Sequence, residues 1–488
     1  MPEMWQRQDD RQVLPVSGSV STKPESGAAD PYLVLVVPVI VLGALPLILL
    51  RFGTSAISDP DTLWHVLAGR ELWQSWQFVG PDQLATFTQL PFVYHQWLPE
   101  LAMAAMDWWA GLPGVAWLFH LMLLAFFLSV YAVCRSQAAV LGGVLATLGA
   151  WLGASGSLSP RPQVVGFVLL AASLLLWLRT ARDGGLRWWL VPLTWLWACV
   201  HGSWLYALSL AVIFGTGLVL DRQWGRREAS RLALLIASLI AVGMLTPVGP
   251  RLLATPFAVA EVSPFIMEWK PVPITEPSAI ATLVMGLVVL VMWLRSGHSV
   301  TWTRLLLWAF AMASALVYAR TIAVGAILVA PLFAEVLQSH LPRRSTPIRW
   351  ERRVLVSTAV ASLVLAAVLV PVTAAAPGKV PATFNAYLSA LPRDTVVWNV
   401  DALGGWLLYE HPNLRPTMDT RAEVYGAEYL RRYVRAISAY PGWEETVSRT
   451  GARYAIVDED GPLSDGLVRH KGWTLVSTGE HYALLQAP

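Results

Sequence analysis

The chain has 488 residues, of which 55% are hydrophobic and only 14% charged, with a mean hydropathy of +0.52. So little charge cannot cover a soluble protein of this length, and the apolar residues fall in repeated runs, which predicts a polytopic membrane protein. The net charge of +3 is scattered among loops and offers no nucleic-acid surface, while two cysteines, Cys134 and Cys199, exclude a disulfide framework or cysteine-based metal site.

In chain order, residues 1–30 are polar and rich in Ser, Pro and Gly, which predicts a disordered cytoplasmic tail and not a cleaved signal peptide. Residues 31–50 carry no charge and reach the roughly 20 apolar residues that a bilayer crossing needs. Asp59, Asp61 and His65 follow at once, where membrane meets water. Ionisable groups are costly there unless they face a cavity or a partner. Further runs predict spans near 114–133, 137–155, 163–179, 188–201, 204–220, 231–247, 278–295, 303–319, 321–338 and 353–372, about eleven helices in all. His201-Gly202-Ser203 reads as a re-entrant turn or a kink between two short spans.

Residues 51–113 form a long first outer loop whose Trp-rich patterns near 62–76 and 97–109 predict helices lying along the membrane surface. A second outer loop, 247–277, is studded with Pro. The transmembrane domain covers 31–375. From 376 to 488 charge rises, and runs such as Thr395–Trp398 and Tyr454–Val457 read as strands, with helices near 427–439 and 441–450. This predicts a small α/β domain, in which Gly404-Gly405 reads as a turn.

Loop charge orients the bundle. One set of loops carries Arg135; Arg179, Arg182 and Arg187; Arg222, Arg226, Arg227 and Arg231; Arg295 and Arg304; and Arg343, Arg344, Arg349, Arg352 and Arg353. The alternate set carries only Arg51, Arg70, Arg161, Arg251, Lys270 and Arg320 over more residues. The positive-inside rule makes the N-terminus cytoplasmic and the C-terminal domain extracytoplasmic.

That topology gathers Asp59, Asp61, His65, Asp82, His95, Glu100, Arg161, His201, Arg251, Glu268, Lys270 and Arg320 at one membrane–water boundary. Carboxylates, imidazoles and cations together suit a substrate with an anionic head and a lipid tail: cations meet the phosphate and a carboxylate acts as base. Plainer roles exist for each. Asp59-Pro60-Asp61 can cap a helix, the histidines can pack, Arg161 and Arg320 can snorkel, and Glu268-Trp269-Lys270 can be a loop ion pair. No Walker loop, GxGxxG after a strand, HExxH or GxSxG is present.

The stretch Asp59-Pro60-Asp61-Thr62-Leu63-Trp64-His65, with Gly69-Arg70, resembles the first outer loop of bacterial membrane proteins of the GT-C glycosyltransferase type. The resemblance extends through His95–Glu100, Arg161-Pro162-Gln163, Trp197–Ser203, Glu268-Trp269 and Ala319-Arg320. In the tail it includes Gly404-Gly405-Trp406-Leu407, Asp419-Thr420-Arg421 and Trp443. Two departures stand out: Leu63-Trp64-His65 where two aromatics usually precede the histidine, and His95-Gln96 where His-Glu is common.

The resemblance implies a mostly α, GT-C-like transmembrane core and transfer of a sugar from a polyprenyl-phosphate donor to a glycan or protein acceptor. It places the enzyme on the outer face of the bacterial cytoplasmic membrane. It also implies a carboxylate of the first outer loop as general base or metal ligand, which falls on Asp61 or Asp59, with Asp61 preferred. With Asp61 as base, Asp59 or Glu100 would orient the acceptor hydroxyl. His65, His95, Arg161, His201, Glu268, Lys270 and Arg320 are then the substrate-binding set. Asp59, Asp61 and His65 could ligate a divalent cation such as Mg²⁺, Mn²⁺ or Ca²⁺. Two other readings are a non-catalytic envelope-assembly or glycan-binding protein and a lipid flippase or transporter. The latter predicts inverted repeats and midplane charges, which the sequence does not show.

Overall fold

In the computed structural model, residues 31–88, 90–271, 273–297, 299–341 and 348–488 are described. The expected tail at 1–30 and the arginines at 343 and 344 lie outside the described residues. Helix α1 (Pro31–Gly53) leads to α2 (Pro60–Ser75), a two-stranded antiparallel ribbon β1 (Val79–Pro81) and β2 (Pro91–Val93), and then α3 (Trp97–Arg135). The surface helix expected at 97–109 and the span expected at 114–133 form one element broken at Gly111. Its φ of 63° suits only glycine at low cost, and Pro113 follows it.

The bundle continues with α4 (Val140–Ala154), α5 (Gln163–Asp183), α6 (Leu190–Val200), α7 (Leu205–Leu220), α8 (Arg226–Met244) and the short α9 (Thr255–Val262). It closes with α10 (Pro277–Ser296), α11 (Trp302–Val317), α12 (Ile322–Gln338) and α13 (Ile348–Thr373). Among the described residues seven helices are long and apolar enough to cross a membrane. Helices α6 and α11 are apolar but shorter, and α8 bends by 112° from the Gly249–Phe265 stretch that follows. The Pro-rich outer loop is therefore α9 with short 3-10 turns about it, not open coil.

Burial separates centre from periphery. Helix α12 packs on α4, α10 and α11, and every residue from Ile322 to Leu332 is buried. Helix α13 lies outside against α1 and α3, with Val356, Val360, Val364, Val368 and Val372 exposed at four-residue spacing. In water such a stripe would be unfavourable by about 25 cal/mol per Å². Against lipid tails it is the natural outer face.

The C-terminal part holds a five-stranded sheet in the order β4-β3-β5-β7-β6, formed by β3 (Thr395–Asn399), β4 (Leu414–Pro416), β5 (Tyr454–Asp458), β6 (Thr474–Gly479) and β7 (Tyr482–Gln486). Strand β3 is parallel to β4 and β5, and β7 is antiparallel to β5 and β6. Around it lie α14 (Asn385–Ser389), α15 (Gly404–Glu410), α16 (Ala422–Ile437), α17 (Trp443–Ser448) and α18 (Pro462–Lys471). Both apolar runs read as strands are strands. Gly404-Gly405 is not a turn: it opens α15, which lies so close to α2 that a Cβ on Gly405 would stand 2.8 Å from the Pro60 carbonyl oxygen. Side-chain absence there lets the C-terminal domain sit on the first turn of α2.

Candidate functional site at the start of α2

The site begins with helix chemistry. Asp59 is the N-cap of α2, its Oδ1 accepting from the Asp61 backbone N–H at 2.9 Å, and Pro60 fills the first helical position. Pro is pre-organised there, and carboxylates are favoured at the positive end of the helix dipole. Capping is thus real, but it uses only part of each carboxylate. Asp61, Trp64 and His65 then share one face through their three- and four-residue spacing.

Arg161 stands at the centre. Its Nε donates to both Asp59 oxygens at 2.8 and 2.7 Å, and its Nη1 lies 2.9 Å from Asp61 Oδ2 and 2.6 Å from Glu268 Oε1. The Thr62 hydroxyl donates to the Pro160 carbonyl at 3.1 Å and so ties the Arg161 segment to α2. Arg320 reaches Glu268 Oε2 at 3.3 Å and lies over the Trp269 ring. The turn carrying Glu268 is itself held by the Ala319 N–H donating to the Lys270 carbonyl at 3.1 Å. Three carboxylates thus share two guanidiniums. Burial pushes the Asp61 carboxyl up to about 6, with Arg161 opposing and Asp59 adding to the rise. Glu268 stays below its ordinary value, because Arg161 and Arg320 outweigh its burial.

The histidines form a second layer. His65 Nδ1 lies 3.0 Å from Glu100 Oε1, with both side chains buried. Glu100 therefore faces His65 and not the Arg161 cluster. His201 accepts at Nδ1 from the Ser203 N–H at 3.0 Å, and its Nε2 lies 3.4 Å from an Arg320 nitrogen. His95 holds Nδ1 3.1 Å from its neighbour Val93's carbonyl oxygen. Burial and the nearby cations depress His65 and His201 well below the usual imidazole range, and burial lowers His95. All three are neutral at pH 7. Lys270 is the member not brought in: its ammonium is exposed and touches Met267 Sδ at 3.2 Å.

Residues absent from the sequence-based site come from the C-terminal domain. The Thr420 hydroxyl donates to Asp61 Oδ1 and accepts from the Trp64 indole N–H at 3.0 Å. Arg421, fully buried, pairs with Asp419 at 2.7 Å and with Asp82, while Trp64 and Phe92 lie beside its guanidinium at 5.7 and 5.1 Å. The motif Asp419-Thr420-Arg421 was visible in the sequence, but nothing local says that it lies against α2.

A divalent cation on Asp59, Asp61 and His65 does not fit this arrangement. Arg161 already holds both Asp59 oxygens and Asp61 Oδ2, Thr420 holds Asp61 Oδ1, and His65 turns to Glu100. Among the described residues no three or more His, Cys, Asp or Glu side chains are grouped to hold a metal ion. The Arg161 guanidinium occupies the place between the carboxylates.

Comparison with known proteins locates the fold. No protein-family model and no curated protein sequence matches the chain. Solved structures do. The archaeal oligosaccharyltransferase AglB from Archaeoglobus fulgidus, in complex with an inhibitory peptide and a dolichol-phosphate, superposes over 87% of this chain and 69% of that chain, with 11% identity and a TM-score of 0.58. The A. fulgidus oligosaccharyltransferase tethered with an acceptor peptide containing the NVT sequon gives 88%, 70%, 11% and 0.59. ArnT from Cupriavidus metallidurans bound to undecaprenyl phosphate covers 92% of this chain and 97% of that chain at 13% identity, but at a TM-score of 0.48, too low to argue from. The chain is a multi-helix protein with the fold of the archaeal oligosaccharyltransferase.

Proposed function

We propose that this chain is an inverting GT-C-type membrane glycosyltransferase that moves a sugar from a polyprenyl-phosphate donor to a hydroxyl of a glycan or protein acceptor. In this reading it works on the outer face of the bacterial cytoplasmic membrane, with about eleven crossings, the N-terminus inside and the C-terminal domain outside. The loop-charge asymmetry supports the orientation. The carrying observation is the cluster itself: three carboxylates sharing two guanidiniums at the end of an apolar bundle, with Asp61 poised near neutral pH. The fold supports it, since AglB was solved with a dolichol-phosphate and a peptide.

Asp61 acts as general base. It takes the acceptor hydroxyl proton as that oxygen bonds to the anomeric carbon, while the bond from that carbon to the phosphate oxygen breaks and its electron pair leaves on the lipid phosphate. Arg161, committed to three carboxylates and only 16% exposed, holds the acids in place. Arg320, 31% exposed with one 3.3 Å carboxylate contact, is the guanidinium that turns to the phosphate. Glu100 fixes His65, and His201 and His95 line the wall beside Arg320 as neutral hydrogen-bonding groups. Lys270 adds positive charge at the rim.

The direct test is retention of radiolabelled polyprenyl phosphate by the purified full chain. Wild type retains it, and Arg320→Ala weakens retention about tenfold. No retention by wild type, or an undiminished affinity in Arg320→Ala, overturns the phosphate assignment.

A further inference from the structure

We infer that the C-terminal domain is a constituent of the reaction centre, in which Thr420 is a positioning residue that fixes the Asp61 carboxylate for its work as base. The inference rests on the proposed role of Asp61 and deepens it.

Its basis is a three-membered relay. The Trp64 indole N–H donates to Thr420 Oγ1 at 3.0 Å, and the Thr420 hydroxyl has its one proton left for Asp61 Oδ1. Because the indole can only donate, the hydroxyl proton has one direction to point. Asp61 Oδ2 meanwhile faces Arg161. The carboxylate is therefore gripped at one oxygen by the transmembrane domain and at the other by the C-terminal domain.

The loop bearing Thr420 is prepared for this. Asn399, fully buried at the end of β3, accepts from the Thr417 N–H at 2.9 Å and donates to the Met418 carbonyl at 2.8 Å. Tyr425 Oη accepts from the Asp419 N–H at 3.1 Å. Next in the chain, Arg421 is locked between Asp419 of the same loop and Asp82 of the first outer loop. Breaking such a buried pair leaves an uncompensated charge, so the loop has little freedom to retreat. The packing at Gly405 against Pro60 brings the same two domains into close contact at a second point. A domain that only recruited a partner would not need a hydroxyl on the base.

The groups facing Asp61 are Asp59 on its own cap, Arg161 ahead of α5, Glu268 in the second outer loop, and Thr420. Of these, Thr420 is the neutral donor whose removal changes no net charge. Its hydrogen bond favours the ionised carboxylate.

The experiment compares Thr420→Val and Thr420→Ser in the full chain, with transfer followed from pH 5 to 9. Thr420→Val lowers kcat about tenfold and moves the acid limb of the profile upward by roughly half a pH unit or more, whereas Thr420→Ser retains both. Trp64→Phe keeps a ring beside Arg421 but frees the hydroxyl to rotate, and it lowers kcat several-fold without altering retention of the lipid phosphate. This variant keeps the test decisive should Thr420→Val fail to fold. If Thr420→Val and Trp64→Phe both show wild-type kcat and an unmoved limb while Asp61→Asn is inactive, the positioning role is wrong and the base assignment stands. Transfer by Asp61→Asn would remove both.

Discussion

The single Nε–H of Arg161 is shared between the two carboxylate oxygens of Asp59, at 2.8 and 2.7 Å. That leaves Nη1 for Asp61 and Glu268, so one guanidinium gathers carboxylates from the first loop and from a segment more than a hundred residues downstream. The rest of the site is built on this knot.

Replacing Arg161 by Ala leaves three partly buried carboxylates facing one another. Stability should fall by about 3 kcal/mol, the low end for unpairing a buried charge, because the cluster retains some solvent. Arg161→Lys should restore little of it, since one ammonium lacks the planar fork that meets three acids. Thermal unfolding of the purified variants checks both.

The same substitution should create what wild type lacks. With the guanidinium gone, Asp59, Asp61 and Glu268 offer an oxygen-rich set suited to a hard divalent cation. Mn²⁺ titration should show a new site in Arg161→Ala that is absent from the wild-type cluster. Equal binding by both proteins would mean that Arg161 does not hold that place.

The pH dependence has a definite sign. Asp61 titrates at about 6, above the ordinary 3.8 of an aspartate, chiefly because it is buried. A base must be ionised, so kcat should fall about tenfold per pH unit below 6 and level off above it. Stability runs the other way. A carboxyl raised on folding stabilises fully below pH 3.8, and this contribution is lost as pH rises to about 6. The measurements are a pH–rate profile and a stability profile on the same preparation. A limb that persists in an active Asp61→Asn variant would belong to another group.

Close approach of α15 to α2 makes Gly405 a sensitive position. A Cβ there meets the Pro60 carbonyl oxygen at 2.8 Å, so Gly405→Ala should destabilise the chain by roughly 1–3 kcal/mol, as overpacking does. It should also lower transfer, because the shift moves Thr420 away from Asp61. Gly43→Ala, at an exposed helical position of α1 where nothing lies within 4 Å of the added Cβ and φ is not positive, is the comparison.

Much of this was legible before any coordinates. A bilayer demands long uncharged runs, so the helices could be read from composition alone, and loop charge alternated consistently enough to bring Asp59, Arg161, Glu268 and Arg320 to one boundary. What sequence could not supply was partnership. Asp59, Asp61 and His65 looked like cation ligands because their residue types are right, but Arg161 already satisfies the two aspartates. Thr420 lies 359 residues from Asp61 and carries no charge, so no spacing or topology argument points to it. Gly404-Gly405 read as a turn because glycine pairs usually are; here the absent side chains serve a helix-to-helix contact that only tertiary packing reveals. The break in Trp97–Arg135 was legible by contrast, since the surface helix expected near 97–109 and the span expected near 114–133 are separated by the segment that holds Gly111 and Pro113.

The central claim is that Asp61 is the base of a sugar transfer, and one comparison tests it most directly. Membranes containing wild type or Asp61→Asn, at matched amounts and with matched unfolding temperatures, are given a polyprenyl-phosphate-linked radiolabelled sugar and acceptor glycan. The account predicts labelled glycan from wild type and a loss of at least about a hundredfold in Asp61→Asn, the scale of general base catalysis, with retention of polyprenyl phosphate unchanged. Transfer by Asp61→Asn at the wild-type rate would contradict it.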